Sequence, residues 1–329
     1  MKKIMLVILI IILVLGLFLG YLWLISTKKY DVEYGISFNK QHAESLKLDW
    51  KEVYLAMLED LKPKYIRIAA TWSEVESDEN QYNFSDVNWQ MDMADKYGTK
   101  VVLVVGQKAP RWPECHVPEW VDGLSDEGYE KEFFDYVKHV VELYSKHPAL
   151  EIWQVENEPF IKFRFGECEK FREDLVKPEI KLVKELDPNH KIIITDSGEL
   201  STWWDASRSG DLFGTTLYRI VRMPNGMVWS YGWIPPAFYR VKAEILGKNI
   251  SEVFVSELQA EPWFFESDPS NTSIEEQEKT MNVSQLKKHF DYTERVGVSR
   301  AYLWGVEWWY WMKDVQGNSK YWKIVQEKM

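Results

Sequence analysis

Short apolar runs recur along most of this chain, and their alternation with amphipathic stretches is the strongest constraint on its fold. Eight such runs end in polar or turn residues: YGISF (34–38), YIRIAA (65–70), KVVLVV (100–105), LEIWQVEN (150–157), KIIITDS (191–197), DLFGTTLY (211–218), EVFVSE (252–257) and RAYLWGV (300–306). Runs that are apolar on both faces are typical of parallel strands, because helices cover both sides of a parallel sheet.

Amphipathic stretches lie between several of these runs. Apolar residues at i, i+3, i+4 and i+7 spacing predict helices over residues 50–61 and 133–144. Ser85 is a suitable N-cap and Gly98 a suitable C′ residue for a helix between them. A further long helix is predicted over residues 275–296.

Strands and helices in this order predict an α/β fold, a (β/α)8 TIM barrel that occupies residues 30–329 as one domain. An open doubly wound sheet is the alternative, but no glycine-rich nucleotide fingerprint follows the first strand. No internal repeat and no Pro/Ser-rich linker divides the body. We therefore expect one barrel with one mouth.

Residues 4–25 form an uncharged apolar segment that precedes the barrel. A helix of this length spans a hydrocarbon core of roughly 30 Å. Bulky residues at its end disfavour a signal-peptidase site, so residues 1–29 are predicted to be an uncleaved signal anchor, a transmembrane helix. The catalytic body would then be membrane-anchored and extracytoplasmic. The alternative is a cleaved signal peptide, which would secrete the same domain.

Composition excludes several classes of protein. A net charge of −11 disfavours nucleic acid as a partner, because a polyanion binds to basic surfaces. Two cysteines are too few for a disulfide scaffold or a four-thiolate metal site. Cys115 and Cys168 either pair or remain two buried thiols. His116 follows Cys115 but no third ligand has a recognised spacing, so neither a metal nor another cofactor is predicted.

Two carboxylates stand out at the predicted strand ends, which surround the active site of such a barrel. Glu158 follows the fourth strand, and Pro159 turns the chain away directly after it. Glu257 follows the β-branched residues of the seventh strand. Paired carboxyls about 5 Å apart suit glycoside hydrolysis with retention, and a separation of about 6.5–9.5 Å suits inversion.

These motifs resemble the clan of retaining β-glycosidases that includes the family 5 cellulases and mannanases and the family 42 β-galactosidases. That clan carries an Asn-Glu pair after strand four and a glutamate after strand seven, matched here by Asn157-Glu158-Pro159 and Ser256-Glu257. The stretch YNFSDVNWQMDMADKYGTKVVLVVGQKAPRWP is also similar to the clan. The resemblance covers roughly residues 34–310.

The resemblance implies a role for each matching residue. Glu158 would be the general acid and base, and Glu257 the nucleophile. Asn157 would bind the sugar 2-hydroxyl, and Arg67 would keep Glu257 ionised. Tyr218 would orient Glu257 or stabilise charge beside it. Further expected substrate contacts are Trp304, as the floor of the subsite, and Trp72, Gln107 and Trp263.

Two positions depart from the clan pattern. Gln107 stands where some members have a histidine, and Leu258 and Gln259 follow Glu257 where a small residue is common. Glu261 is therefore a rival nucleophile.

The predicted function is hydrolysis of β-linked oligo- or polysaccharide with retention and without a cofactor. The alternatives are a glycan-binding barrel that has lost turnover and a transglycosylase that uses the same two glutamates. The 17 tryptophans favour a carbohydrate partner, because flat aromatic faces pack on sugar rings. Sugar, linkage, endo or exo action and oligomeric state are left open by the sequence.

Overall fold

Eight parallel strands form a closed barrel in the computed structural model, which describes residues 2–163, 166–223, 225–264 and 269–329. The order around the barrel is β1-β10-β9-β6-β5-β4-β3-β2. The strands are β1 Glu33–Ser37, β2 Tyr65–Ala69, β3 Lys100–Val105, β4 Leu150–Val155, β5 Lys191–Asp196, β6 Leu212–Leu217, β7 Ile220–Arg222, β8 Val228–Ser230, β9 Val253–Gln259 and β10 Arg300–Trp304. Each of the eight apolar runs contributes one barrel strand, so the predicted TIM barrel is confirmed.

Helices connect and surround these strands. They are α1 Lys2–Ile25, α2 Lys40–Ser45, α3 Trp50–Ala56, α4 Trp72–Val75, α5 Ser85–Lys96, α6 Asp126–Tyr144, α7 Val176–Leu186, α8 Ala206–Ser209, α9 Ala237–Ile245, α10 Ile274–Glu278, α11 Val283–Val296, α12 Val306–Asp314 and α13 Lys320–Gln326. A π-helical turn extends α3, and short 3-10 turns lie at Glu119–Gly123, Glu173–Leu175, Ile250–Glu252 and Pro269–Asn271.

The inside of the barrel is layered. An apolar layer at the amino end is formed by Tyr65, Val102, Ile152, Ile193, Phe254 and Tyr302. Side chains two residues further along a strand lie on the same face. The next layer therefore includes Arg67, Gln154, Thr195, Ser256 and Trp304, all of them buried. The apolar layer closes the barrel from below, and the more polar layer forms the base of its mouth.

Two helix predictions need correction. The long helix predicted over residues 275–296 is two helices, α10 and α11, because Asn282 caps the second one. The Asn282 side chain accepts from the backbone N–H of Gln285, and the Gln285 side chain accepts from the N–H of Asn282. Ser85 is the first residue of α5 rather than its N-cap, and its N–H donates to the side chain of Asn83 at 3.0 Å.

The sequence did not predict a hairpin after the sixth barrel strand, and it left the pairing of the two cysteines open. Strands β7 and β8 form an antiparallel hairpin after the sixth barrel strand. Cys115 and Cys168 form a disulfide, with 5.1 Å between their Cα atoms. This bond ties the loop after β3 to the segment after β4, and both segments border the mouth.

Helix α1 lies outside the barrel. An 18-residue window within Lys3–Ile25 has a mean hydropathy of 3.1, and this helix is long and apolar enough to cross a membrane, a property that signal sequences share. Its large apolar side chains are mostly exposed, whereas Leu22 is buried. Just after α1, the Ser26 hydroxyl accepts a hydrogen bond of 2.9 Å from the N–H of Ala237 in α9. The end of the apolar segment therefore contacts the barrel.

Candidate active site

The main predicted site residues meet at the carboxyl ends of the barrel strands. Arg67 lies in the middle of β2, on the same face as Tyr65. Asn157 and Glu158 follow β4 closely, and Glu257 lies in β9. Parallel strands share one direction, so these side chains converge on one mouth although they are distant in the sequence.

Arg67 connects the two sides of this mouth. Its Nη1 donates to Oε1 of Glu257 at 3.0 Å, and its Nη2 donates to Oδ1 of Asn157 at 2.7 Å. Its Nε donates to Oε1 of Gln154 at 2.7 Å. Arg67 is 1% exposed and Glu257 is 4% exposed. The guanidinium therefore compensates the charge of a buried carboxylate and fixes Asn157 beside it.

Tyr218 completes the surroundings of the Glu257 carboxylate. It directly follows β6, and its hydroxyl donates to Oε2 of Glu257 at 2.8 Å. Both carboxylate oxygens thus accept a hydrogen bond. The ring of Trp263 packs edge-on against Tyr218, with centroids 4.9 Å apart. The structure brings both predicted contacts to the Glu257 side of the mouth.

Glu257 lies within its strand rather than at its end, which corrects the sequence prediction. Strand β9 continues to Gln259. Strand β9 has one extra residue here relative to both of its neighbours. On β6, Thr215 pairs with Val255 and Thr216 pairs with Glu257. The register with β10 shifts in the same segment. Such a bulge changes the direction of the side chains that follow it. The extra residue therefore contributes to directing Glu257 toward Arg67.

The segment after β4 has a strained backbone. Glu156 and Glu158 have φ values of 60° and 46°, a region that costs a non-glycine residue about 1–2 kcal/mol. Backbone N–H groups of Gln107 and Lys108 donate to the Glu156 carboxylate and stabilise it. Gly106 is required nearby, because a Cβ there would lie 2.6 Å from Cδ of Glu156. Buried Glu156 thus has a structural role and supports the Asn-Glu pair.

Glu158 is 8% exposed, and its environment differs from that of Glu257. Its N–H donates to the Thr195 hydroxyl at 2.9 Å. Burial raises the pKa of Glu158 well above its usual range, and the negative charges of Glu257 and Glu114 add to the effect. Lys108 acts in the opposite direction. Glu158 consequently retains a proton at a higher pH than an ordinary glutamate.

Glu114 and Lys108 also border the site, and neither was singled out from the sequence. Oε2 of Glu114 accepts a hydrogen bond of 3.2 Å from Nδ2 of Asn157. Nζ of Lys108 donates to the main-chain oxygen of Glu158 at 3.2 Å. The signal available in the sequence was their place in the segment that follows the third predicted strand.

Gln107 and Trp72, two expected substrate contacts, are instead fully buried. The Gln107 side chain donates to Oε1 of Glu156 at 3.1 Å and accepts from the Tyr129 hydroxyl at 2.9 Å. The Trp72 indole stacks on Tyr136 of α6, with ring centroids 5.5 Å apart. Both side chains pack against helix α6 behind the strands. Their placement gives no support to the prediction that they bind substrate.

Trp304 ends the eighth barrel strand at the mouth, as expected, and is almost buried. The guanidinium carbon of Arg111 lies over its ring, 4.3 Å from the centroid. Arg111 forms ion pairs with Glu261 and Glu307, with 3.1 Å between its Nη2 and Oε2 of Glu307. One face of the expected subsite floor is therefore covered by a paired arginine.

Glu261, the rival nucleophile, belongs to this second cluster. Burial would raise the pKa of Glu261, but the charges of Arg111 and His42 outweigh burial and lower the pKa to about 2. Possible ligand atoms of His42, Glu261 and Glu307 lie within 4.8 Å of one another. Arg111 already contacts both carboxylates and places one positive charge between them.

The loop tryptophans divide into two groups. The buried ones are Trp203, Trp308, Trp309 and Trp311. The exposed ones are Trp204, Trp229 and Trp233. Packing therefore accounts for the first group, whereas Trp229 and Trp233 in the second group are exposed at the surface and Arg208 lies over the ring of Trp204.

A protein-family model matches the part of the chain that carries several of these site residues. The model of the cellulase family, glycosyl hydrolase family 5, matches residues 36–226, which is more than half of the chain. The chain belongs to glycosyl hydrolase family 5. The match includes Arg67, Asn157 and Glu158, whereas Glu257 lies beyond its end. No curated protein sequence gives a significant match.

Solved structures share the fold of this family 5 barrel. Xylanase 10B from Thermotoga petrophila RKU-1 is 14% identical, with a TM-score of 0.53 over 91% of this chain and 94% of the other. GH5_18 from Streptomyces cattleya is 12% identical, with a TM-score of 0.58 over 84% and 71%. The β-galactosidase from Rahnella sp. R3 is 12% identical, with a TM-score of 0.59 over 92% of this chain and 56% of the other. At these identities the likeness shows the fold alone.

Membership of family 5 supports glycosidase activity for this chain. The mouth contains two buried carboxyls in contrasting surroundings. Glu257 accepts from a guanidinium and a hydroxyl, whereas the pKa of Glu158 is raised by burial. The two carboxyls thus differ in their surroundings, and different surroundings are what allow paired carboxyls to take different roles.

Proposed function

We propose that this protein hydrolyses β-glycosidic bonds by double displacement, with Glu257 as nucleophile and Glu158 as general acid and base. The observation that carries the proposal is the bridge formed by Arg67, which donates to Glu257 through Nη1 and to Asn157 through Nη2. Asn157 directly precedes Glu158, so Arg67 holds Glu257 beside the segment that carries Glu158.

The first step forms a glycosyl-enzyme. A Glu257 carboxylate oxygen attacks the anomeric carbon while the Glu158 carboxyl gives its proton to the departing glycosidic oxygen. The bond to the leaving group breaks as the ester bond to Glu257 forms. In the second step, Glu158 takes a proton from water, and the water oxygen displaces Glu257. The free sugar therefore has the configuration of the substrate.

The two carboxyls have surroundings suited to these roles. A nucleophile must be ionised, and Glu257 accepts hydrogen bonds at both oxygens from Arg67 and Tyr218. A general acid must hold a proton near neutral pH, and burial raises the pKa of Glu158. Glu261 is less suited to attack, since its carboxylate is held by the Arg111 guanidinium.

Carbohydrate is the proposed substrate, and several residues are placed to contact it. The Nδ2 group of Asn157 would donate to the 2-hydroxyl of the sugar at the reacting position. Tyr218 orients Glu257, Trp263 borders that side, and Trp304 contributes to the base of the mouth. We assign Gln107 and Trp72 supporting roles, because Gln107 hydrogen-bonds Glu156 and Tyr129 and Trp72 stacks on Tyr136.

We propose two parts for the chain, with residues 1–29 as a membrane anchor and residues 30–329 as an extracytoplasmic catalytic barrel. The length and hydropathy of the apolar helix support this division. Cleavage of the segment would instead release the same barrel. Mass measurement of the N-terminus in membrane and soluble fractions of expressing cells distinguishes these two outcomes.

The stereochemistry of the first product tests the proposed mechanism. A panel of 4-nitrophenyl β-glucoside, galactoside, mannoside and xyloside, with soluble β-glucans, mannans and galactans, first identifies a substrate. Proton NMR during early turnover should show the β-anomer before mutarotation. Initial release of the α-anomer contradicts double displacement. Absence of sugar release across the panel favours a glycan-binding barrel, and new oligosaccharides with an added acceptor favour a transglycosylase.

A further inference from the structure

The loop between β3 and α6 places a third carboxyl in the mouth. Glu114 is 7% exposed, and its Oε2 accepts a hydrogen bond of 3.2 Å from Nδ2 of Asn157. Neither step of the proposed reaction uses this carboxyl. A charged group buried beside reacting groups is costly, so its contacts indicate what it contributes.

The contact with Glu114 determines how the Asn157 amide is turned. Oδ1 of Asn157 accepts from Nη2 of Arg67 at 2.7 Å, and an arginine can only donate. The amide NH2 must therefore face the opposite side, where Glu114 accepts one of its two hydrogens. Within the part of the chain that the structure describes, Nδ2 has no second acceptor, so its other hydrogen can donate to a ligand. Arg67 and Glu114 together hold the amide in the orientation that a sugar 2-hydroxyl requires.

Glu114 also contributes charge to the site. The charged groups that act on Glu114 are Lys108, Glu257 and Arg67, and those that act on Glu158 are Glu257, Glu114, Lys108 and Asp196. Burial raises the pKa of Glu114 to about 7, with Lys108 opposing and Glu257 adding to the effect. Above this pH the ionised Glu114 disfavours ionisation of Glu158.

The loop is built to hold Glu114 in place. Its φ is 74°, which an ordinary residue adopts only when neighbours impose it. The next residue, Cys115, is disulfide-bonded to Cys168. Gly166 lies so close that a Cβ there would be 2.6 Å from Cβ of Glu114. These constraints fix the backbone from which the Glu114 side chain reaches Asn157.

We propose that Glu114 is a positioning residue that orients the Asn157 amide toward the sugar and places a negative charge beside Glu158. The inference rests on the proposed function, since it concerns the binding and proton-transfer groups of the same site. The loop after β3 would then take part in recognising the 2-hydroxyl of the sugar.

Two substitutions separate the hydrogen bond from the charge. Glu114→Gln keeps an oxygen for Asn157 but removes the charge, and Glu114→Ala removes both. Glu119→Gln changes an exposed glutamate of the same loop and is the matched control. All three are measured in the full-length protein, with circular dichroism to confirm folding.

The charge is tested by pH profiles of kcat/KM on the best aryl β-glycoside. For Glu114→Gln the alkaline limb should move to lower pH by roughly half a unit or more, because Glu158 loses its proton more easily. The control should follow the wild type. Coincident profiles of Glu114→Gln and the wild type would overturn the electrostatic part of the inference.

The hydrogen bond is tested with the same glycoside and its 2-deoxy analogue. Glu114→Ala should lower kcat/KM for the 2-hydroxy substrate roughly three- to tenfold and leave the 2-deoxy substrate nearly unchanged. Equal losses on both substrates would overturn the positioning role. If Glu114→Ala does not fold, Glu114→Leu, which fills the same space without an acceptor for Asn157, replaces it in this comparison. Failure of the proposed function is distinguishable, because the wild type would then release no sugar from any substrate, or Glu257→Ala would retain activity.

Discussion

Arg67 and Glu257 form an ion pair of 3.0 Å across the mouth of the barrel, although 190 positions separate them in the chain. Both are almost completely excluded from water. Removal of one partner from such a pair leaves an uncompensated buried charge, which destabilises the folded protein. The same pair holds the proposed nucleophile, so it should matter for both stability and activity.

Arg67→Met should therefore destabilise the protein as well as inactivate it. We expect the free energy of unfolding to fall by ~3–5 kcal/mol at pH 7, measured by urea denaturation. Arg67→Lys keeps a charge but loses the two-pronged contact with Glu257 and Asn157, so it should lose activity with a smaller loss of stability. An unchanged urea midpoint for Arg67→Met would show that the pair is not required.

Replacement of Glu158 should affect substrates according to their leaving groups. For Glu158→Gln, kcat/KM on an alkyl β-glycoside should fall roughly 10²–10⁴-fold, because the departing alkoxide needs a proton. A 2,4-dinitrophenyl β-glycoside should be affected much less in the first step. The exposed Glu119→Gln variant is the control, and equal losses on both substrates would argue against Glu158 as the acid.

The activity of the wild type should decline on the alkaline side as Glu158 loses its proton. Because burial raises the pKa of Glu158, kcat/KM should persist above the usual range of a glutamate and fall as pH rises through that pKa. In Glu158→Gln this limb should disappear for the activated substrate. A limb that stays at the same pH in the variant would assign it to another group.

Arg111 is expected to matter for stability. It is paired with buried Glu261 and Glu307 and covers the ring of Trp304. Arg111→Met should lower the free energy of unfolding by ~3–5 kcal/mol at pH 7. Arg208→Met, which removes an exposed arginine from the face of Trp204, should change it by less than about 0.5 kcal/mol. Equal unfolding midpoints for the two variants would contradict this account.

Glu179 predicts a pH dependence of stability. Burial, with a contribution from neighbouring Glu156, raises the pKa of Glu179 well above its usual range. The folded state then binds the proton more tightly than the unfolded state, so stability falls as pH rises from about 4.3 toward the folded pKa. Glu179→Gln should show a smaller fall between pH 5 and pH 8. Exposed Glu185→Gln, on the same helix, should retain the wild-type slope.

Most of the fold was accessible from the sequence because it is encoded locally. Each barrel strand is a continuous apolar run, and the placement of Asn157 and Glu158 follows from the end of such a run. Glu257 was identified in the same way, but the bulge that places it inside β9 was not. A bulge depends on pairing with both neighbouring strands, which a single run does not report.

The remaining parts of the site depend on long-range contacts. Glu114 reaches Asn157 because a disulfide and Gly166 hold its loop, and neither contact is visible in local periodicity. Trp72 lies next to a strand end yet packs under α6, since the chain turns into α4 at that point. The fully buried carboxyl of Glu179 lies in a helix whose other residues have ordinary amphipathic spacing. The sequence therefore does not distinguish the aromatic and acidic residues of the site from those of the core near the strand ends. Their positions in the structure do.

The most direct test of Glu257 as nucleophile is the product that Glu257→Ala forms from an activated aryl β-glycoside in sodium azide. Without azide, hydrolysis should fall roughly 10⁴-fold or more. Azide should enter the space left by the carboxylate and give the α-glycosyl azide, whereas Glu158→Ala should give the β-glycosyl azide. Wild-type activity of Glu257→Ala, or a β-azide from it, would contradict the account.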